Sequence, residues 1–231
     1  MKKILLASTS TLFGESYLAY LLPHLNKFFT GIDKLTFIPY ARPGGTSHDA
    51  YTKTVAQAFA QIGIKVVGLH TYTDPQEGIK KAEAIFVGGG NTFLLVNQLY
   101  KLDLMQSLKY QVEKGTPYLG TSAGSNIAGV SIKTTNDMPI IYPPSFDSLG
   151  VVPFNLNPHY LDPYPTSLHN GETRETRIFE FHCFNSTPVI GLREGSFITV
   201  QEDRIVLQGP HTARVFKAGE TPFEMETGSI W

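Results

Sequence analysis

The segment Gly120-Thr121-Ser122-Ala123-Gly124 has the residue types and spacing of a nucleophile held on a tight turn. In a G-x-S-x-G turn the two glycines remove side chains that would collide where a strand bends sharply into a helix. The small Thr121 and Ala123 then leave the Ser122 hydroxyl protruding. The helix start that follows adds unpaired backbone N–H groups beside that hydroxyl, a seat for a developing oxyanion. Hydroxyl and oxyanion donors together are the equipment of acyl transfer. An inert turn of small residues can carry the same five letters, so the rest of the chain must supply a base and an acid.

A serine hydroxyl becomes nucleophilic when a base, usually a histidine oriented by a carboxylate, takes its proton. Of the seven histidines, His24, His48, His70 and His182 fall in helical or strand patterns and read as ordinary packed or surface residues. His159 differs, because it follows Asn157-Pro158 at the exit of the apolar run 151–156, and a proline favours an extended approach at the residue before it. His169 and His211 also lie in loop-like sequence and compete for the role. For the acid, Asp137 in Thr135-Asn136-Asp137-Met138-Pro139 and Glu194 in Gly191-Leu192-Arg193-Glu194-Gly195 both sit between apolar segments. Each could accept the second imidazole proton. Their inert alternatives are an Asx turn ahead of a proline and a solvated hairpin residue.

Two other kinds of site fit less well. Gly88-Gly89-Gly90 after an apolar run could cradle a phosphate, but no Lys-Ser/Thr pair follows it and it lacks the G-x-G-x-x-G spacing. The histidines show neither H-x-x-x-H nor H-E-x-x-H spacing, so no metal site is expected, and the proposed chemistry needs no cofactor.

Composition sets outer bounds. The chain has 231 residues, enough for one substantial core. Its 19 Lys and Arg against 20 Asp and Glu leave a formal charge of −1, which gives no reason to expect a nucleic-acid partner. No apolar run is long enough for a membrane span, and the short run Ile4-Leu5-Leu6-Ala7 reads as a first strand rather than an export signal. The single cysteine, Cys183, reads as part of a packed helix. A lone cysteine and no leader place the chain in the cytoplasm.

The elements that must position Ser122 follow an alternating rhythm. Strands are expected at residues 3–8, 35–39, 65–70, 84–87 and 117–121. Between them, helical spacing appears after Ser10-Thr11, after Thr46-Ser47, from Asp74 to Lys81, and in two runs between Phe93 and Lys114. This predicts an α/β fold, a mostly parallel sheet with helices on both faces, in which ligands gather at the carboxyl ends of the strands. Residues 131–170 lose periodicity and read as a long functional loop. Gly171 to Phe184 resumes as a helix. Runs at 189–192, 196–201, 204–208 and 213–217 then predict antiparallel carboxyl-terminal hairpins closing the sheet. One domain over residues 1–231 accounts for the whole chain.

Beyond the elbow, the blocks Val87-Gly88-Gly89-Gly90-Asn91-Thr92-Phe93, Thr134-Thr135-Asn136-Asp137-Met138-Pro139-Ile140, Asn157-Pro158-His159, Gly171-Glu172-Thr173-Arg174-Glu175, Gly191-Leu192-Arg193-Glu194-Gly195 and Val215-Phe216-Lys217-Ala218-Gly219 occur in the order found in peptidase E. The chain resembles that aspartyl dipeptidase family of serine peptidases, related in fold to class I glutamine amidotransferases. The elbow and glycine loop alone would also fit cyanophycinase relatives. The resemblance implies hydrolysis of dipeptides with an amino-terminal aspartate by a chain acting as monomer or homodimer. It makes Ser122 the nucleophile, His159 the base, and the N–H groups of Gly90 and Ala123 the oxyanion donors. Either Asp137 or Glu194 is the acid, with Glu194 favoured because a short hairpin aims a side chain better than a long loop. Arg174 and Arg177 become candidates to grip the aspartyl carboxylate, with Asn91 beside them in the binding site. Thr121 stands where some members carry a bulky aromatic, a difference expected at the pocket wall.

Overall fold

The computed structural model describes residues 2–163 and 171–231. Strand β1 (Lys3–Ala7) lies near the middle of a seven-stranded sheet of order β3-β2-β4-β5-β1-β8-β9. Its neighbours are β2 (Lys34–Ile38), β3 (Lys65–Gly68), β4 (Ile85–Val87), β5 (Tyr118–Thr121), β8 (Phe197–Gln201) and β9 (Arg204–Gln208). The first five strands in sequence run parallel, β8 runs antiparallel to β1, and β9 runs antiparallel to β8.

Residue alternation sends side chains to two cores. Ile4, Leu6, Ile85, Val87 and Tyr118 face α3 (Pro75–Lys80), α4 (Thr92–Lys101) and α5 (Met105–Lys114). Leu5, Ala7, Phe37, Phe86 and Leu119 face α1 (Leu22–Phe28) and α2 (His48–Ala60). Burial on both faces explains why β4 is wholly apolar. The helix starts follow their capping residues: Ser47 Oγ accepts from Ala50 N, and Asp74 Oδ1 from Gln76 N.

Three expectations need correction. The first helix does not begin at Ser10-Thr11; Gly14 and Leu18 hold positive φ of 79° and 59°, so residues 10–21 form turns and α1 starts at Leu22, with Pro23 in its first turn. The carboxyl-terminal strands do not all close one sheet. Only β8 and β9 join it, while β6 (Asn155–Pro158), β7 (Val189–Leu192), β10 (Ala213–Phe216) and β11 (Phe223–Met225) form a second sheet of order β11-β10-β7-β6. In that sheet β6 and β7 are parallel. Cys183 is not packed: it ends α7 (Arg174–His182) exposed, next to an exposed Phe184. Among the described residues, no helix is long and apolar enough to cross a membrane.

The sheet register matters most for the site. Ala7 is level with Thr121, and Val87 with Gly120, so the residues following β1, β4 and β5 emerge at one edge. The turn between β7 and β8 passes from the second sheet to the first at the same edge.

Candidate active site

Ser122 joins β5 to the short helix α6 (Ala123–Asn126) with φ 52° and ψ −110°, a conformation outside the usual basins for a residue with a side chain. The surrounding packing explains how it is held. Ser122 N donates to Ala7 O at 3.1 Å, and Ser125 Oγ donates to the carbonyls of Ala7 and Gly120 at 2.7 and 2.8 Å. Tyr118 Oη donates to Gly124 O at 2.6 Å. Both motif glycines are sterically required. A Cβ on Gly124 would lie 2.0 Å from Val87 O, and one on Gly120 would lie 2.5 Å from Gly124 O. Thr121 is fully buried inside β5 and is not a wall of the pocket, contrary to expectation.

The glycine loop comes to the same point. A Cβ on Gly89 would lie 3.1 Å from the Ser122 Cβ, and one on Gly90, whose φ is 145°, would lie 2.3 Å from Ala41 O. Tyr51 Oη donates to Gly89 O at 3.2 Å, which turns the Gly90 N–H to the other side of that trans peptide. Among the described residues, neither the Gly90 N–H nor the Ala123 N–H meets a protein acceptor.

His159 leaves β6 with a positive φ of 54° and brings its ring between two side chains. Its Nε2 is 2.8 Å from Ser122 Oγ and its Nδ1 is 2.5 Å from Glu194 Oε1. An ionised carboxylate can only accept, so Nδ1 carries the proton and Nε2 is left as acceptor for the Ser122 hydroxyl. Hydroxyl, imidazole and carboxylate therefore form one directed chain of hydrogen bonds.

Asp137 is engaged elsewhere. Its Oδ2 accepts from Thr92 N at 2.7 Å and from Thr135 Oγ1 at 3.1 Å, so it binds the amino-terminal end of α4 rather than the imidazole. Asn91 caps the same helix: its Oδ1 accepts from Leu94 N at 3.0 Å, and its Nδ2 donates to Met138 O at 2.9 Å. A narrow pocket is lined by Ser122, Ala123, His159, Asp137, Thr92, Asn126 and their neighbours.

Arg174 begins α7, half-buried and without an ion-pair partner among the described residues. Burial first, and then the charge of Arg177, hold its guanidinium pKa below the usual value, with the nearby Asp137 carboxylate acting in the opposite sense. Arg177 is exposed and lies 3.9 Å from Glu172. Of the competing histidines, His211 is exposed and its backbone N bonds Ser196 Oγ at 3.1 Å, while His169 lies outside the described residues. His24 packs on Phe197, His70 pairs with Asp49 at 2.8 Å, and His182 bonds Thr187 O at 3.0 Å.

Sequence reasoning missed Asn126, which lines the pocket, is 2 % exposed and has no partner for its Oδ1 among the described residues. Its place four residues after Ser122, on the first turn of the helix leaving the elbow, was the available signal. Thr92 was missed too, though only Asn91 separates it from the glycine loop. Among the described residues, no cluster of three or more His, Cys, Asp or Glu side chains is arranged to hold a metal ion.

Comparison with known proteins bears on the same residues. The model of "Peptidase family S51" matches residues 4–208. Peptidase E of Streptomyces coelicolor is 49% identical over 226 residues, covering 98% of this chain and 92% of that protein. A Drosophila melanogaster protein named "Probable alpha-aspartyl dipeptidase" is 46% identical over 220 residues, covering 94% and 90%. The crystal structure of a peptidase from an acI-B1 actinobacterium superposes with a TM-score of 0.76 at 16% identity over 100% of this chain and 96% of that one, which shows a shared fold. The family match therefore includes the elbow, the glycine loop, His159 and Glu194, and this chain belongs to peptidase family S51.

Proposed function

We propose that this protein is a serine-type dipeptidase that hydrolyses dipeptides beginning with aspartate. The observation that carries the reading is the unbroken Ser122–His159–Glu194 chain of hydrogen bonds beside a pocket. Ser122 Oγ attacks the peptide carbonyl carbon as its proton passes to His159 Nε2, and the Glu194 carboxylate stabilises the resulting imidazolium. The carbonyl oxygen becomes an oxyanion received by the N–H groups of Gly90 and Ala123. Collapse breaks the C–N bond, His159 returns the proton to the leaving amine, and a water repeats the sequence on the aspartyl ester to free Ser122.

Arg174 is assigned to the aspartyl side chain. A half-buried guanidinium without a described partner, sensitive to the charge of a pocket-lining Asp137, is suited to a carboxylate. An asparaginyl substrate would leave it without its counter-charge, at a cost of roughly 3–5 kcal/mol if the pair is well desolvated. We therefore expect kcat/KM for Asp-Leu to exceed that for Asn-Leu by at least about a hundredfold. Arg174→Met should collapse that ratio while leaving slow hydrolysis of both. Equal wild-type rates on the two dipeptides would sink the specificity, and a wild-type ratio in the variant would move the clamp to Arg177.

A further inference from the structure

Ser8 follows β1, is fully buried, and does not itself line the pocket. Its hydroxyl nevertheless joins the backbone of His159 to the end of the strand that leads to Glu194. Ser8 Oγ accepts from the backbone N–H of His159 at 2.9 Å and donates to Leu192 O at 2.7 Å, two residues before Glu194. Its own N donates to Ser196 O at 3.2 Å, two residues after Glu194. Leu192 O also accepts from Tyr160 N at 3.1 Å. One serine thus connects the centre of the main sheet to the end of β6, which carries the base, and to the β7–β8 turn, which carries the acid.

The geometry at His159 explains why such a tie is needed. A positive φ of 54° is unfavourable for a residue with a Cβ and persists only where the surroundings enforce it. The His159 and Glu194 side chains are 39% and 48% exposed, so their own hydrogen bond is too solvated to hold the turn. The Ser8 hydroxyl supplies the missing constraint, because without it the His159 N–H would lose its acceptor and Leu192 O one of its two donors.

We propose that Ser8 is a positioning residue for the reaction, setting the distance and angle of His159 to both Ser122 and Glu194. The proposal rests on the acyl-transfer reading of the site but not on its aspartyl specificity. Ser8→Ala should therefore lower kcat about ten- to a hundredfold with KM for Asp-Leu little changed, since the variant alters the aim of His159 and leaves the Arg174 clamp in place. The same variant should slow hydrolysis of p-nitrophenyl acetate by a similar factor, because that ester probes Ser122 activation without an aspartyl side chain.

Ser131→Ala is the control. Ser131 Oγ accepts from Asn155 Nδ2 at 3.0 Å at the opposite end of β6, so this variant also removes a buried hydroxyl. It should lower the melting temperature and leave kcat unchanged. Wild-type kcat in Ser8→Ala, or a loss no larger than that in Ser131→Ala and proportional to the unfolded fraction, overturns the proposal. A wild-type protein active on the ester but not on Asp-Leu would refute the aspartyl reading and leave the Ser8 test intact on the ester. Inactivity of the wild type on both overturns the acyl-transfer reading and this proposal together.

Discussion

Ser122→Ala is expected to reduce turnover of Asp-Leu by about six orders of magnitude, the scale seen when a serine nucleophile is removed from a hydrolase acting through such a unit. The variant should fold, because nothing in the elbow depends on the hydroxyl: the Ser122 N bond to Ala7, the Ser125 bonds and the two close glycine contacts all remain. His159→Ala should be about as damaging, and the double variant little worse than either single one. Nucleophile and base perform one proton-coupled step, so once either is absent the other has nothing to contribute. Steady-state kinetics of the three variants check this, and losses that multiply would mean that the two side chains act independently.

The second large effect separates the two carboxylates. Glu194→Gln should lower kcat by about four orders of magnitude, by analogy with the amide substitution that imposes the wrong imidazole tautomer in serine proteases. A glutamine can offer an N–H to Nδ1, which would put the ring proton on Nε2 and leave the Ser122 hydroxyl without an acceptor. Because Glu194 and His159 are substantially solvated, the change should scarcely alter the melting temperature. Asp137→Asn has the opposite profile. Its side-chain oxygen can still accept from Thr92 N, so the expected loss is about 0.3–1 kcal/mol of helix-terminus charge, with kcat within about tenfold of wild type. Paired measurements of kcat and melting temperature decide between the assignments; a larger kcat loss in Asp137→Asn reverses them.

The site was more legible in the sequence than the architecture around it. Ser122 announced itself because backbone contacts as close as those of Gly120 and Gly124 admit one residue type, and that constraint leaves its mark as a motif. His159 was found through Pro158 and the apolar run ending before it, whose last two residues open β6. The choice between Asp137 and Glu194 depends on a contact across 35 positions of sequence, and no local pattern encodes it. The same limit hid the second sheet. Runs such as Val189–Leu192 and Ala213–Phe216 were recognisable as strands, but their partners are set by tertiary packing, and β6 pairs in parallel with a strand some 30 residues later. The misplaced start of α1 has a different cause: Tyr17, Leu18, Leu21 and Leu25 are spaced like a helix face, yet Gly14 and Leu18 adopt left-handed backbone, which periodicity does not register. Ser8 looked like the last residue of a strand, and its importance appears only once three distant segments meet around its hydroxyl.

The mechanism turns on acylation of Ser122 by the amino-terminal aspartyl group. It is tested most directly by rapid mixing with an aspartyl p-nitrophenyl ester, whose acylation is fast because the leaving group is good. A burst of one p-nitrophenolate per active site is expected, with an acid-quenched sample carrying the aspartyl group on the peptide that contains Ser122. A time course without a burst and without acylated enzyme, or an aspartyl group attached at another residue, would contradict it.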